Sequence, residues 1–189
     1  MLTFVYSTVN AGKTANLLMR AHSCSQRDIP FQIFVPSVVS SRDGDAQVAS
    51  RVGFSHKAQS VGKNDCPYEM CLGSKSRPQV IFADESQFFT KEQILGFSRI
   101  VDELEIPVFA YGLRSDFKGN PFEGSIYLMT WADKIEEIAT FAVGGGKAIF
   151  NQKVDESGER VTEGEVVDAG FHYLPVTRSE FGLKHHWKG

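Results

Sequence analysis

Apolar and polar positions alternate along this chain in blocks of strand length and helix length. Leu2 to Tyr6 is an unbroken apolar run that reads as a buried strand, and the segment opening with Asn16-Leu17-Leu18-Met19-Arg20 has helical spacing up to about Arg27-Asp28. Phe31 to Val35 predicts a second strand, stopped by Pro36. Gln79 to Ala83 is a third apolar run and ends in Asp84-Glu85; Lys91 to Leu104 has helical spacing, and Pro107 to Gly112 is another buried strand. Continuous apolar strands between helices predict an α/β fold, a parallel sheet covered by helices on both faces. Two stretches break the rhythm. Ser37 to Ser76 is rich in Ser, Gly, Asp and Lys with only a weak helical patch, so it is expected to be largely irregular and partly mobile. Beyond Asp133 the pattern turns to short runs, Ile138 to Val143 and Lys147 to Val154, around Gly144-Gly145-Gly146 and Asp155-Glu156-Ser157-Gly158-Glu159. This predicts a small β-rich C-terminal lobe over 138–189, behind an α/β unit over 1–137.

Composition narrows the class. A chain of 189 residues with 42% hydrophobic content can bury one good core with a small appendage. A formal charge of −3 with scattered basic residues offers no surface for a nucleic acid backbone. A phosphorylated small molecule is the better partner. No stretch approaches the about 20 apolar residues of a membrane span, and no basic leader with a cleavage site opens the chain, so a cytoplasmic protein is expected. Cys24, Cys66 and Cys71 are odd in number and irregularly spaced, which argues against a disulfide framework.

The first chemical signal lies between the first strand and first helix. Ser7-Thr8-Val9-Asn10-Ala11-Gly12-Lys13-Thr14 has the length of a phosphate loop, with Ser7 where the usual pattern has its first Gly. Backbone N–H groups of Asn10, Ala11 and Gly12, with the helix N-terminus, would form an anion nest. Lys13 would reach the terminal phosphates and Thr14 would hold Mg²⁺. The alternative is an ordinary Gly-containing turn. The second signal is Asp84-Glu85 at a strand end, where a carboxylate stands beside a bound triphosphate. Consecutive side chains on a strand point to opposite sides, so Asp84 can face Mg²⁺ while Glu85 faces an acceptor pocket as general base. Acids at strand ends are also common as solvated turn residues or caps.

Asp84-Glu85-Ser86-Gln87-Phe88-Phe89 and Tyr111-Gly112-Leu113-Arg114-Ser115-Asp116-Phe117-Lys118-Gly119-Asn120-Pro121-Phe122 resemble two motifs of the type II, P-loop thymidine kinases. The resemblance runs from Tyr6-Ser7 through Thr162-Glu163-Gly164-Glu165 to Tyr173 and Arg178. It implies a P-loop NTPase-like sheet and a small lobe carrying a lasso loop. It also implies ATP- and Mg²⁺-dependent phosphorylation of the 5′-hydroxyl of thymidine or deoxyuridine, in nucleotide salvage for DNA synthesis. On this resemblance Glu85 is the catalytic base, and Ser7, Asn10, Ala11, Gly12, Lys13, Thr14, Asp84, Gln87 and a phosphate-contacting Arg42 bind the nucleotide. Val9, Phe88, Leu113, Phe117, Phe122, Asn151 and Tyr173 enclose the nucleoside, with backbone groups of Val166, Val167, Asp168, Ala169 and Gly170 reading the base. A homotetramer and feedback by thymidine triphosphate are further implications. With fifteen Phe in the chain, most must simply be core.

Most members of the family hold a structural zinc with four ligands. Here the corresponding positions are Ala142, Gly144, Thr177 and Glu180, which cannot form a thiolate site, so no zinc is expected. The lobe would be held by packing instead, through Phe141, Phe150, Val176 and Phe181, while His185-His186 reads as a polar tail. Two other classes fit the phosphate loop. One is an ATPase driving a protein partner, with Gln87 orienting water; the other is a nucleotide-binding regulator without catalysis, against which Lys13, Thr14, Asp84 and Glu85 speak.

Overall fold

The computed structural model describes residues 1–39, 45–51, 53–166 and 171–183. In chain order, β1 (Leu2–Ser7) leads into α1 (Lys13–Ser25), β2 (Phe31–Pro36), β3 (Asp45–Ala49) and β4 (Ser55–Val61). Then come α2 (Pro67–Leu72), β5 (Val80–Ala83), a single 3₁₀ turn at Ser86–Phe88, α3 (Lys91–Leu104) and β6 (Val108–Leu113). The chain continues with α4 (Glu123–Trp131), β7 (Lys134–Glu137), β8 (Phe150–Val154), β9 (Arg160–Val161), β10 (His172–Val176) and α5 (Arg178–Phe181). Seven strands form one sheet in the order β3-β4-β2-β5-β6-β1-β7, and β10-β8-β9 form a second, antiparallel sheet. In the large sheet β3 alone runs antiparallel to its neighbour.

Strand periodicity of two divides the core between the sheet's two faces. Phe4, Phe34, Ile81, Ala83, Val108 and Ala110 meet Ile94, Phe97 and Ile100 of α3 and Leu128 of α4. Their neighbours Val5, Ile33, Val35, Phe82 and Tyr111 point the other way and meet Leu17, Leu18 and Ala21 of α1. Strands buried on both faces are apolar throughout, which is why β1, β2, β5 and β6 are legible as runs. The start of α3 is fixed by a capping box: Gln93 N–H donates to Thr90 Oγ1 at 3.3 Å, and Thr90 N–H to Gln93 Oε1 at 3.1 Å. The α/β sheet flanked by helices, with a small β-rich appendage, is the fold class the sequence predicts.

Three local expectations are corrected. The polar stretch Ser37 to Ser76 carries β3, β4 and α2, because Ala46 and Val48 are buried while Gln47 between them is exposed, a half-buried alternation at a sheet edge. Pro67 at the first turn starts α2, which buries Tyr68 and Cys71. Ile138 to Val143 is no strand; only Phe141 bridges Lys147, and the charged Lys134–Glu137 segment instead pairs with β1 as the far edge. Finally, Phe141 is 81% exposed and does not hold the small lobe. Phe150 and Phe181 do, stacked at 4.4 Å between centroids, with Val176 buried nearby in sequence. Among the described residues no helix is long and apolar enough to cross a membrane.

Candidate functional site

The turn from β1 to α1 has a backbone that could cradle an anion. Asn10 (φ +61°) and Gly12 (φ +79°) are left-handed, a conformation Gly adopts without strain. Gly12 C=O accepts the first helical bond from Asn16 N–H at 2.9 Å. Lys13 is buried, and its Nζ donates to the Thr8 carbonyl at 2.6 Å. Burial pulls its pKa below that of an ordinary lysine, while the carboxylates of Glu85 and Asp84 oppose the shift. The small sheet braces this loop. Asn151 Oδ1 accepts Val9 N–H at 2.8 Å, its Nδ2 donates to the Ser115 carbonyl at 3.3 Å, and Asn10 Nδ2 donates to the Tyr173 carbonyl at 3.4 Å.

Opposite the loop, β5 ends in two carboxylates. Thr14 Oγ1 donates to Asp84 Oδ2 at 3.0 Å, and Glu85 N–H donates to Asp84 Oδ1 at 3.0 Å. Asp84 is buried; desolvation first, and the neighbouring Glu85 second, push its pKa up to about 7 against those hydrogen bonds and Lys13. Glu85 itself is left-handed at φ +48°, uncommon for a residue with a side chain and a frequent mark of functional sites. The chain then turns through Ser86–Phe88, where Ser86 Oγ donates to the Ala83 carbonyl at 2.8 Å. Gln87 Nε2 donates to Glu85 Oε2 at 2.6 Å, and its Oε1 accepts Leu113 N–H at 3.1 Å.

Two neighbouring cavities meet at Glu85. The larger, about 690 Å³, is walled by Val9 to Ala15, by Ala49, Ser50 and Arg51 at the β3–β4 turn, by Leu113, and by Phe171 to Leu174. The smaller, about 350 Å³, lies against Asp84, Phe88, Val166, Val35, Val39, Gln47 and Val48. Thr14, Ala49, Glu85 and Tyr173 line both. Two spaces sharing a carboxylate and a hydroxyl, with a buried ammonium lining the larger one, have the chemistry for joining a phosphate chain to an acceptor.

Of the residues the sequence singles out, Val9, Asn10, Ala11, Gly12, Lys13, Thr14, Glu85, Leu113 and Tyr173 line the larger cavity. Asp84, Phe88 and Val166 line the smaller. Five lie behind these walls. Ser7 Oγ donates to the Ile138 carbonyl; Gln87 and Asn151 are buried with their amides engaged as described; Phe117 backs Tyr173 at 6.4 Å; Phe122 meets Phe88 edge-on at 5.3 Å. For Ser7, Gln87 and Asn151 the contacts observed are with the chain itself, since their polar atoms satisfy buried backbone and side-chain groups. Arg42, Val167, Asp168, Ala169, Gly170, His185 and His186 lie outside the described residues. Ser50, Arg51, Gln47, Phe171 and His172 were not anticipated; only the alternation across Ala46 to Val48 hinted that this segment forms a wall.

Hard oxygen donors at Thr14 and Asp84 fit Mg²⁺. The zinc-equivalent positions have another use: Glu180 accepts Thr177 N–H at 2.7 Å and Gly144 N–H, while Thr177 Oγ1 accepts Glu180 N–H at 3.2 Å. Among the described residues no group of three or more His, Cys, Asp or Glu side chains could hold a metal ion.

Comparison with known proteins bears on this arrangement. The profile of a family described as thymidine kinase matches residues 1–181. A thymidine kinase of Coxiella burnetii is 38% identical over 188 residues, covering 96% of this chain and 95% of its own. One of Pasteurella multocida is 39% identical over 187 residues, covering 97% of each. One of Listeria monocytogenes is 38% identical over 180 residues, covering 94% of each.

Proposed function

Because this chain belongs to the thymidine kinase family, we propose that its two adjoining cavities together hold ATP and thymidine, which meet at Glu85. The enzyme transfers a phosphoryl group from ATP to thymidine; the residue roles below are our reading. The observation that carries it is the position of Glu85, which lines both cavities beside Lys13 and Thr14.

Loop N–H groups and Lys13 bind the β- and γ-phosphates, which offsets the crowding of negative charge. Thr14 and Asp84 would hold Mg²⁺, which when bound would neutralise phosphate charge. Glu85 accepts the proton of the 5′-hydroxyl as its oxygen bonds to the γ-phosphorus and the bond to the ADP oxygen breaks. Positioning dominates such loose phosphoryl transfers, so orienting the hydroxyl matters as much as basicity. Phe88, Leu113 and Tyr173 offer apolar surface for a flat base, with Val9 beside the loop as part of the thymine recess.

We assign residues 1–137 to the nucleotide-binding unit and 138–189 to a zinc-less lobe that closes the nucleoside side. Deoxyuridine is a second acceptor on this reading, since only the thymine methyl distinguishes it. Thymidine triphosphate carries the nucleoside of one substrate and the phosphate chain of the other, which suits it to span both cavities as a feedback ligand. We carry over the tetramer and a cytoplasmic place in pyrimidine salvage from the family resemblance.

The test measures ADP and thymidine monophosphate with Mg-ATP, with and without thymidine, for the wild type and Glu85→Gln. The reading expects thymidine-dependent product in equal amounts and a kcat lowered by about 10²–10⁴ in the variant, with KM for ATP nearly unchanged. Wild-type kcat in Glu85→Gln would remove Glu85 from the chemistry.

A further inference from the structure

Gln87 lines neither cavity, yet it bonds both the proposed base and Leu113, two walls of the larger cavity. Its side chain belongs to a residue only 2% exposed, and both ends of its amide are engaged. Nε2 donates to Glu85 Oε2 at 2.6 Å, and Oε1 accepts Leu113 N–H at 3.1 Å. We propose that Gln87 is a positioning residue that aims the Glu85 carboxylate and fixes its distance from the Leu113 wall; this rests on the reading of Glu85 as the base.

The surroundings are built around that amide. Glu85 is left-handed, its N–H is held by Asp84 and its carbonyl accepts Phe88 N–H at 3.1 Å, so its backbone is fixed on both sides. The carboxylate at the end of a flexible side chain still has rotamers to lose, and a partly buried hydrogen bond to one oxygen restricts them. Oε1 is then the oxygen left for the acceptor hydroxyl. A neutral amide does this without placing a full positive charge against the base, as Lys or Arg would. On β6 the chain makes room: a Cβ at Gly112 would lie 2.9 Å from Gln87 Oε1 and 3.1 Å from Gln87 N. Any side chain there would push the amide away from both Glu85 and Leu113.

The experiment uses the full chain with Gln87→Met, which keeps length but removes both polar ends. Gln87→Glu keeps size and the acceptor for Leu113 N–H, but presents a second carboxylate to Glu85. Expected is a kcat loss of at least about 10-fold in each, with KM for ATP and thymidine within about threefold of wild type. In a Glu85→Gln background, Gln87→Met should add less than about threefold, because residues acting as a unit are not additive. Should Gln87→Met fail to fold by its melting curve, the nearly isosteric Gln87→Glu decides. Unchanged kcat in the Gln87 variants, or a full multiplicative loss in the double variant, beside a collapsed Glu85→Gln overturns this proposal alone. Wild-type kcat in Glu85→Gln overturns the base reading and this inference with it.

Discussion

Thr14 Oγ1 and Asp84 Oδ2, on the first helix and the end of β5, are joined by a hydrogen bond of 3.0 Å. That bond brings the two proposed Mg²⁺ ligands together and leaves Asp84 a buried carboxylate beside Glu85.

Asp84→Asn should therefore stabilise the metal-free protein above neutral pH while lowering turnover. The folded-state pKa of Asp84 is raised to about 7, so protonation favours the fold. Its contribution is most favourable below the unfolded carboxylate value of about 3.9, and is lost as pH rises through the folded value. In EDTA at pH 8, a gain of about 2 kcal/mol would raise Tm by roughly 4–8 °C for a chain of this size. Tm against pH should flatten between about 4 and 7 in the variant; an unchanged slope would mean Asp84 does not carry the effect.

Asn151→Ala should loosen the phosphate loop from a distance. It removes the acceptor of Val9 N–H and the donor to Ser115. Leaving a partly buried N–H without a partner costs at most about 1–3 kcal/mol, so KM for ATP should rise, by no more than roughly 5- to 150-fold where that cost falls on the bound state. Kinetics with ATP varied at saturating thymidine would read it; a rise confined to the KM for thymidine would instead make Asn151 a nucleoside contact.

Gly124→Ala should disturb the turn that carries Glu85. A Cβ there would meet the Ser86 carbonyl, and would lie 2.8 Å from the Phe89 carbonyl and 3.1 Å from that of Gln87. These are backbone atoms, which cannot swing aside as a side chain can. A loss of about 1–3 kcal/mol in urea unfolding is expected, together with a lower kcat.

Chelation should leave the melting temperature of the nucleotide-free protein unchanged. Glu180 and Thr177 cap α5 reciprocally, and Glu180 also accepts Gly144 N–H, so side-chain hydrogen bonds join these positions without a metal. A drop in Tm after dialysis against a strong chelator would reveal a structural metal.

The sequence made the centre legible and the edges obscure, for one physical reason. Strands β1, β2, β5 and β6 are buried on both faces, so burial writes itself as uninterrupted apolar runs. The edges carry a weaker signature: Val48 faces inward, but Gln47 and His56 do not, and Lys134-Ile135-Glu136-Glu137 reads as surface until its pairing with β1 is seen. The site divides the same way. Lys13, Thr14, Asp84 and Glu85 belong to contiguous motifs, whereas Arg51 and Phe171 reach the larger cavity only through long-range folding that no local pattern encodes. Phe141 marks the opposite error, since an aromatic in an apolar run was expected inside and stands 81% exposed.

The two glycines that flank the Glu85 turn, Gly112 on β6 and Gly124 on α4, restrict how the gene can drift. Every other residue type brings a Cβ, which at Gly124 would meet backbone carbonyls and at Gly112 the Gln87 amide. A descendant lineage can trade one cavity-wall aromatic for another or lengthen a surface turn. It cannot decorate these two positions without moving the carboxylate between them, so selection here guards an emptiness rather than a functional group.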